Sequence, residues 1–449
     1  MKAVLGRGVL RVGCRSRGVP ASVGSGDRGA LFAEGGFLMT VVDALPGVGR
    51  RLLAGPTDGR LDTHLARYGR PPRLDGAQLV GLLRDAGLTG RGGAGFPTWR
   101  KVEAVLGASG VPVVVGNGSE GEPASGKDRA LMAYQPHLVL DGLQIVAGAV
   151  GARQAYLYVA GASAAGVGAA LGARRGAGLD PVPVTVVVAP ERFVAGEESA
   201  VVNAVEGRAA VPSDKRVRVT EAGVGGAPTL VQNVETLAHL ALIARFGPHW
   251  FREAGTAEEP GTFLATVGGA VGVPGVVEAG YGVRLGDLVD AAGGPAERLQ
   301  AVLVGGYHGG WVPALPELAV SRAGLAPYGA SPGAGIVVAL PVGVCGLVET
   351  ARIAGYLAGE VAGQCGPCIN GLPRLATTLT DLAHRRGRAG LGREVDAVRE
   401  VERLSLLVSG RGACRHPDGS VRMIRSAMRT FAADVAAHLA GRCLAEEAR

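Results

Sequence analysis

Three cysteines stand in a spacing that can hold a metal ion or an iron–sulfur cluster. Cys365 and Cys368 are separated by two residues, and Cys414 follows in a second glycine-bearing loop. Thiolates two residues apart can face one metal or cluster, and a distant cysteine can close the site. A redox dithiol, a zinc site completed by His416 and plain buried thiols are the alternatives. The other three cysteines are interpreted as incidental small apolar residues: Cys14, Cys345 and Cys443.

A second segment that could bind a ligand is the glycine-dense run from Gly90 to Pro97, which contains the pattern G-x-G-x-x-G. A predicted helix precedes it and no helix clearly opens at Gly95, so the usual dinucleotide-binding context of strand, loop and helix is missing. Backbone without Cβ atoms can still approach a phosphate or a ring closely, with Arg91 and Lys101 supplying countercharge. A flexible surface loop is the alternative.

Two polar loops follow predicted strands, where ligands of open α/β sheets bind. The run Val111 to Val115 leads into Asn117–Glu122, and the run Val184 to Val188 leads into Phe193 and then Gly196–Glu198. A pair of acids after a glycine can serve ribose hydroxyls or polarise a bound ring. Taken alone, each loop is equally typical of a solvated turn or of the first turn of a helix.

Composition excludes several classes of protein. The chain has 449 residues, of which 47% are hydrophobic and 19% charged, so it can bury sizeable cores and form two to four domains. Its net charge of +7 comes without a basic stripe and with only 4% aromatic residues, which argues against nucleic-acid binding. No apolar run reaches the ~18 residues of a membrane span. Six cysteines without a disulfide pattern favour a reducing, cytoplasmic compartment.

The order of predicted elements indicates three blocks. Strands and helices alternate between residues 61 and 188, with long helices predicted from Leu61 to Asp85 and from Leu131 to Val150, and this alternation is typical of a parallel sheet. Two extended runs around Pro274-Gly275 and a short helix from Leu285 then predict a small α+β unit. From Leu347 onwards the periodicity is helical. No histidine cluster and no hydrolase motif is recognisable.

Taken in order, these loops resemble the NADH-binding flavoprotein subunit of respiratory complex I and its relatives in NAD-linked hydrogenases and formate dehydrogenases. The resemblance runs from about Leu61 to about Ala437, and the chain is similar to a divergent paralogue. Its most specific parts are four segments: Gly90–Thr98 with Lys101, Gly196–Glu198, Glu206–Arg208 and Asn233–Leu237.

The resemblance implies an α/β fold in three parts, which agree with the three blocks of predicted elements. Residues 39–255 would form a Rossmann-like FMN-binding domain with a parallel sheet, residues 256–335 a β-grasp, soluble-ligand-binding α+β domain, and residues 336–449 an α-helical iron–sulfur bundle. Residues 1–38, with six basic and two acidic side chains, would be a disordered extension or an over-called start.

The resemblance also implies roles for individual residues. FMN would be surrounded by Gly90, Arg91, Gly92, Gly93, Ala94, Gly95, Lys101, Asn117, Glu120 and Asn233. The nicotinamide nucleotide would face Phe96, Glu122, Glu198 and Lys215, with the Phe96 ring on its adenine. Further cofactor contacts are expected at Phe193, Gly196, Glu197 and Gln232. Glu198 and Glu120 are the candidate catalytic residues, and Cys365, Cys368 and Cys414 the iron ligands.

The chain departs from the family pattern at several of these positions. Gly118-Ser119 stands where the family has Ala-Asp, Phe193 replaces a tyrosine and Gln232 an asparagine. In the cluster loop Ala362 replaces the first cysteine. Three thiolates can hold a [3Fe-4S] cluster, or a [4Fe-4S] cluster with a non-cysteine fourth ligand from His416 or Gln364.

The implied activity is NADH dehydrogenation of the diaphorase type. NADH would give a hydride to FMN, and single electrons would pass to the iron–sulfur cluster and then to a ferredoxin-like [2Fe-2S] protein or subunit, because the chain lacks its own [2Fe-2S] cysteine set. Other redox subunits and a peripheral position at the cytoplasmic face of a membrane are compatible with this activity. Glu122 near a ribose would favour NADH over NADPH. The alternative is a non-catalytic binding or assembly protein, which the missing cluster cysteine favours.

Overall fold

The computed structural model describes residues 40–41, 45, 51–53, 58–214, 217–384 and 394–448. Three predictions lie outside these residues: the extension formed by residues 1–38, the interpretation of Cys14 as a small apolar residue and the nucleotide contact of Lys215. In chain order the described strands are β1 (Thr40–Val41), β2 (Val113–Gly118), β3 (Gln154–Ala160), β4 (Val184–Ala189), β5 (Thr229–Asn233), β6 (Thr262–Gly269), β7 (Gly275–Gly280), β8 (Leu299–Val304), β9 (Gly310–Pro313) and β10 (Ile336–Pro341).

The described helices are numbered in the same way. They are α1 (Leu61–Tyr68), α2 (Gly76–Ala86), α3 (Thr98–Leu106), α4 (Lys127–Tyr134), α5 (Pro136–Ala149), α6 (Gly161–Gly176), α7 (Glu198–Val205), α8 (Val234–Arg252), α9 (Leu285–Ala291), α10 (Arg322–Leu325), α11 (Gly346–Gly359), α12 (Leu372–Ala383), α13 (Glu394–Val408), α14 (His416–Thr430), α15 (Ala432–Leu439) and α16 (Leu444–Glu447). Shorter turns of 3₁₀ or π type cover Phe193–Gly196, Val224–Gly226, Ala326–Tyr328 and Pro367–Gly371.

The first sheet is the predicted parallel one, with strand order β4-β3-β2-β5 and every pair parallel. Alternate residues of its strands enter different cores. Val114 packs among α5 and α8, whereas Val115 packs with Val201 of α7 on the opposite face. The sheet is therefore covered by helices on both faces, as parallel sheets are. Its order reverses between β2 and β5, which makes the carboxyl ends of these two strands the topological switch point.

Prolines divide the two long helices that periodicity predicted. The expected helix from Leu61 to Asp85 is split by Pro71 and Pro72 into α1 and α2, and Pro136 separates α4 from α5. Proline lacks the N–H that continues a helix, and its ring clashes with the preceding turn. Asp75 and Gln78 form a capping box at the new start of α2.

The second sheet is mixed, with strand order β1-β7-β6-β10-β8-β9, and it packs on α9 as the predicted α+β unit. Its central strand β10 is parallel to β6 and antiparallel to β8. The predicted domain limit at residue 335 would separate β10 from its own sheet. We therefore propose a limit after Pro341 rather than before Ile336.

The C-terminal part is helical, as periodicity predicted. Helices α11 to α15 share one core, in which Leu357, Leu375, Ile424 and Phe431 are almost fully buried. Among the described residues, no helix combines the length and the apolar character that crossing a bilayer requires.

Candidate functional site

Two asparagines occupy the switch point of the parallel sheet. Asn117 lies near the end of β2 and Asn233 ends β5, and the Asn233 Nδ2 donates to the Asn117 carbonyl oxygen over 3.2 Å. The Asn233 side chain also caps α8, since its Oδ1 accepts from the Glu235 N–H over 3.0 Å. The two predicted residues are thus in contact, at the edge where open α/β sheets bind ligands.

The glycine-dense run forms a closed loop beside this switch point. Its ends are joined by the Gly90 N–H, which donates to the Phe96 carbonyl oxygen over 2.8 Å. Gly93 and Gly95 have positive φ angles of 103° and 59°, which side chains disfavour. A Cβ atom on Gly92 would lie 3.5 Å from the Asn233 Cβ. The loop therefore runs along the carboxyl end of β5, between α2 and α3. The predicted absence of a preceding strand is confirmed, and a helix opens after the loop at Thr98.

Arg91 does not supply the countercharge expected of it. Its side chain is only 3% exposed. The guanidinium donates to the Thr89 Oγ1 over 2.9 Å and lies 4.7 Å from the centre of the Tyr281 ring. The backbone N–H of Arg91 donates to the Thr236 Oγ1. Arg91 thus anchors the loop to α8 and to the second domain, which a pattern of residue types alone could not reveal.

Lys101 and Glu198 form the charged pair of the site. The Lys101 Nζ lies 2.7 Å from the Glu198 Oε1 and 3.3 Å from the Val231 carbonyl oxygen of β5. Both side chains are partly exposed, so the pair is accessible to a ligand. Glu197 instead caps α7, because its carboxylate accepts from the Ser199 N–H over 2.9 Å. Glu197 therefore belongs to the start of a helix, as the alternative interpretation of this loop predicted. Glu198 instead contacts Lys101, a residue predicted to bind FMN.

Glu120 holds the shape of the loop after β2. It is the one residue other than glycine with a positive φ in the described chain, at 37°. Its carboxylate accepts from the Ser125 Oγ over 2.7 Å and from the N–H groups of Asp128 and Arg129 over 2.9 and 3.0 Å. Burial, and then the charge of Asp128, raises the pKa of Glu120. These contacts describe a positioning residue, and its catalytic role stays a prediction.

Glu122 joins the loop after β2 to the second domain. Its Oε2 accepts from the Tyr307 N–H over 3.1 Å. Its Oε1 is buried without a hydrogen-bond partner among the described residues. Burial raises the pKa of Glu122 to about 8, against the lowering effect of the N–H groups of Tyr307 and Ala124. A buried acceptor without a donor is costly, so a ligand hydroxyl group would satisfy this atom.

A buried ionic network beneath Asn233 escaped the sequence analysis. Lys127 is almost fully buried, and its Nζ lies 2.9 Å from the Asp128 Oδ1 and 2.7 Å from the Glu235 Oε2. The Asn233 Nδ2 donates to the Asp128 Oδ2 over 2.7 Å. These residues stand beside predicted site residues, but only the fold shows that they orient the Asn233 amide. The neighbouring Gln232 is 4% exposed and its Nε2 has no partner among the described residues.

Phe193 connects the parallel-sheet domain with the helical domain. Its N–H donates to the Glu360 Oε2 over 2.8 Å, and its ring centre lies 4.6 Å from that of His308 and 5.6 Å from that of His416. Beside it, Gly196 accepts from the Asn117 Nδ2 over 3.0 Å through its carbonyl oxygen. Phe193 therefore lies between the Glu198 loop and the loop that carries Cys414.

The three predicted iron ligands are brought together. The Ala413 N–H donates to the Cys365 Sγ over 3.5 Å, which places the Cys414 loop against the Cys365 loop. Burial, and then the neighbouring Cys414 and Cys365, raise the pKa of the Cys368 thiol to about 12. Tertiary packing thus unites two loops that are distant in sequence, and three sulfur donors suit an iron–sulfur cluster.

The contacts of His416 argue against it as a fourth cluster ligand. The Nε2 lies 2.8 Å from the Leu357 carbonyl oxygen and the Nδ1 lies 3.1 Å from the His308 Nε2, so both ring nitrogens have a partner. The same contacts argue against a zinc site completed by His416, and both ideas stay predictions. Gln364 is exposed beside Cys365 and remains available.

Two further predicted features lie at the margins of this site. The Phe96 ring is 46% exposed at the end of the glycine loop, where it can stack on a planar ligand. Glu206 and Arg208 form an ion pair at the other edge of the sheet. There Arg208 lines a cleft of about 390 Å³ with Val188 and Arg192.

The donors on this surface fit both expected groups. For FMN, the site offers glycine backbone, the Lys101 ammonium, the Asn117 amide and the Gln232 Nε2, which has no partner among the described residues. For a cluster, it offers three neighbouring cysteines from two loops in contact.

Comparison with known proteins agrees with these assignments. Residues 83–242 match the family described as the Nuo51 FMN-binding domain, and residues 349–438 match the NADH-ubiquinone oxidoreductase-F iron-sulfur binding region. The first match contains the glycine loop, Lys101 and Glu198, and the second contains the three cysteines.

The chain is similar over most of its length to known relatives. It is 33% identical to the NADH-quinone oxidoreductase F 2 subunit of Rhizobium meliloti, over 81% of this chain and 89% of the relative. It is 30% identical to the NADH-quinone oxidoreductase F subunit of Escherichia coli, over 79% and 82%. Among solved structures, NAD+-reducing [NiFe]-hydrogenase in the H2-reduced state gives a TM-score of 0.76 at 28% identity, covering 89% of this chain and 68% of that one.

Proposed function

Because the chain belongs to the family of NADH-quinone oxidoreductase F subunits, we propose that it oxidises NADH with FMN and passes electrons singly to an iron–sulfur cluster. The observation that carries this proposal is that one chain contains both the site around Asn117 and Asn233 and the site around Cys365, Cys368 and Cys414. The Phe193 ring contacts His416, two residues after Cys414, which supports electron transfer between the two sites.

The chain's own residues prepare the site for this reaction. When bound, FMN takes up the hydride of NADH and releases electrons one at a time. The glycine loop offers backbone N–H groups to a phosphate, and Lys101 offers a positive charge beside Glu198. Asn117 and Asn233 present amides whose orientation is fixed by Gly196, Asp128 and the first turn of α8. Such preorganised polar groups need no rearrangement during the reaction.

We place the nicotinamide nucleotide along Phe96, Glu122 and Glu198, with Lys215 as a further contact. The exposed Phe96 ring supports stacking on the adenine. The Glu122 Oε1 has no donor among the described residues, which supports a hydrogen bond from a ribose hydroxyl. When Glu122 is ionised, its carboxylate repels the 2′-phosphate of NADPH, so the site is expected to prefer NADH above the raised pKa of this group.

Because Glu122 ionises near neutral pH, we expect the preference for NADH over NADPH to depend on pH. Because the pKa of Glu122 is raised to about 8, its carboxyl group is mostly neutral at pH 7 and charged at pH 9. The ratio of kcat/KM for NADH to that for NADPH should therefore rise about fivefold between these values, since like-charge repulsion of ~1.4 kcal/mol corresponds to a factor of ten only for complete ionisation of Glu122. The 2′-phosphate is already fully charged in this range.

The variant Glu122→Gln isolates this effect, because its amide keeps an acceptor for the Tyr307 N–H but never ionises. In this variant the ratio of kcat/KM for NADH to that for NADPH should be nearly independent of pH, and at pH 9 it should be lower than in the unsubstituted protein. The control is Glu317→Gln, which removes an exposed carboxylate from the second domain. If Glu122→Gln keeps the pH dependence of the unsubstituted protein, Glu122 does not face the 2′ position.

We propose that the cluster rests on Cys365, Cys368 and Cys414. With His416 engaged elsewhere, the remaining choices are a [3Fe-4S] cluster or a [4Fe-4S] cluster whose fourth ligand is a non-cysteine group such as Gln364. In either case the buried thiols lose their protons when iron binds.

The relatives are subunits by name, and this chain is expected to work with other redox subunits. We propose a ferredoxin-like [2Fe-2S] protein or subunit as the electron acceptor, because the six cysteines leave no four-cysteine set for a second cluster. A cytoplasmic position, peripheral to a membrane through such partners, agrees with this proposal.

Anaerobic purification followed by absorbance spectroscopy tests the function. Iron and FMN are quantified, and NADH is then added. Bleaching of the flavin with bound iron supports the complete proposal, and bleaching without iron leaves a flavin-only diaphorase. Absence of FMN after reconstitution would favour a non-catalytic binding or assembly protein. The observation that favours this alternative is Ala362, which stands in the cluster loop where the family has a cysteine.

A further inference from the structure

Two of the cysteines interpreted as incidental meet in the C-terminal bundle. Cys345 precedes α11, Cys443 precedes α16, and His438 lies near the end of α15. The Cys345 Sγ lies 3.4 Å from the His438 Nε2. The two sulfur atoms and a ring nitrogen of His438 all lie within 4.8 Å of one another. Tertiary packing therefore brings together two cysteines that the sequence presents as incidental small apolar residues.

The imidazole of His438 is oriented for binding through its Nε2. Its Nδ1 lies 3.2 Å from the Leu382 carbonyl oxygen. A carbonyl oxygen only accepts, so the Nδ1 carries the proton and the Nε2 presents its lone pair to Cys345. A ring N–H bonded to a backbone carbonyl is the usual support of a metal-binding histidine.

The spacing of the three donors matches the edge of a tetrahedron around zinc. Zn–S and Zn–N bonds of ~2.3 and ~2.0 Å place a sulfur and a nitrogen ligand about 3.6 Å apart, and two sulfur ligands about 3.8 Å apart. The observed 3.4 Å and the upper limit of 4.8 Å agree with such an arrangement.

The cluster is buried next to a surface cleft. Cys345, His438 and Cys443 are between 4% and 8% exposed. A cleft of about 440 Å³ is lined by Leu444 and Ala445, which directly follow Cys443. Asp434 also lines this cleft, one helical turn before His438 on α15, together with Arg298. The cleft therefore brings solvent to residues adjacent in sequence to one of the three donors.

We propose that Cys345, His438 and Cys443 bind Zn²⁺, with the fourth position filled by water from the cleft. The ion would tie the start of α11 to the end of the chain. Two thiolates and one imidazole form a borderline-soft set that suits zinc rather than calcium or magnesium. Binding replaces two thiol protons with one metal ion, so no oxidant or reductant is needed and affinity increases with pH. The proposal does not depend on the NADH reaction, and its residues are separate from the cluster cysteines.

Zinc binding by the full-length protein tests the proposal. Protein with a reconstituted iron–sulfur cluster is treated with a chelator that leaves the iron in place, and is then titrated with Zn²⁺ in competition with a chromophoric chelator. One equivalent of Zn²⁺ should bind, and Co²⁺ in its place should show tetrahedral ligand-field bands and thiolate charge-transfer bands. Zn²⁺ should also raise the Tm of the protein.

Variants of the three residues distinguish binding of zinc by their side chains from a role in folding alone. His438→Ala and Cys443→Ser should lose the zinc equivalent, whereas His438→Cys should retain it, because cysteine supplies another ligand. The matched control is Cys14→Ser, which makes the same change at a cysteine that is not one of the three proposed ligands. FMN content and circular dichroism report whether each variant folds, and His438→Cys tests ligation even if the serine variant does not fold.

Three results would overturn the proposal. One is the absence of bound Zn²⁺ in the unsubstituted protein, and another is unchanged binding in His438→Ala. The third is a Cys345–Cys443 disulfide in freshly alkylated protein, shown by mass spectrometry, since it would remove both thiolates.

Discussion

Replacement of Lys101 by methionine should lower kcat/KM for NADH oxidation by about 100-fold, the usual cost of removing one preorganised charged donor. The Lys101 Nζ lies 2.7 Å from the Glu198 Oε1 and also donates to the carbonyl oxygen of Val231 at the switch-point strand. Of the two basic residues expected to supply countercharge to FMN, Lys101 alone faces this site, because the Arg91 guanidinium is buried against Tyr281. Methionine keeps most of the side-chain volume but leaves Glu198 without its cation.

The measurement combines FMN content with steady-state kinetics at saturating FMN, so that loss of the cofactor and loss of rate are distinguished. The matched control is Arg100→Met, which removes one positive charge from the exposed face of the same helix. Lys101→Arg should recover part of the rate. Equal kinetics for Lys101→Met and Arg100→Met would remove Lys101 from the proposed FMN site.

A second large effect is expected at the cluster loop. Cys368→Ser should abolish bound iron and reduce NADH-dependent electron transfer to a one-electron protein acceptor to the background rate. Cys368 is the most buried of the three cysteines, and both Cys365 and Cys414 influence its thiol. Loss of this central ligand leaves two thiolates, too few to retain a cluster. Iron analysis and electron paramagnetic resonance provide the measurement, and FMN content shows that the variant is folded.

The converse change is Ala362→Cys, which restores a third cysteine to the first loop. If the natural cluster is [3Fe-4S], the variant should bind four iron atoms per chain, and the paramagnetic signal of the oxidised three-iron cluster should disappear. Ala440→Cys, at an exposed position of the C-terminal region, controls for adventitious iron on an added thiol. Iron retention by Cys368→Ser would contradict the proposed ligand set, and a three-iron cluster that persists in Ala362→Cys would contradict residue 362 as the position of the missing ligand.

Much of the site could be predicted from sequence because its parts are local. Hydrophobic runs alternate with helical periods in the first domain, and the pairs Asn117/Glu120 and Gly196/Glu198 directly follow strands or begin helices. Parallel strands align their carboxyl ends at one edge, so residues after different strands converge there. The family resemblance joined these loops in the correct order. The predicted helix bounds were wrong at Pro71 and Pro136, because proline interrupts a helix even where the apolar periodicity continues.

The direction of long side chains could not be predicted in this way. Arg91 belongs to the glycine loop, but its guanidinium is turned inward by Thr89, Pro260 and Tyr281. His416 lies two residues after a cluster cysteine, but its nitrogens bond to Leu357 and His308. Apart from Thr89, these partners come from distant parts of the chain, and no local pattern identifies them.

The sequence by itself determined the order of the elements, the three-part architecture and the identity of the glycine loop and the cluster cysteines, since these follow from short-range periodicity and from motifs within single segments. Only the tertiary structure decided which groups are paired and which remain available. It joined Lys101 to Glu198, buried Lys127 beneath Asn233 and brought Cys345 to His438. The physical reason is that hydrogen bonds and desolvation act between neighbours in space, and those neighbours are chosen by the packing of the whole chain.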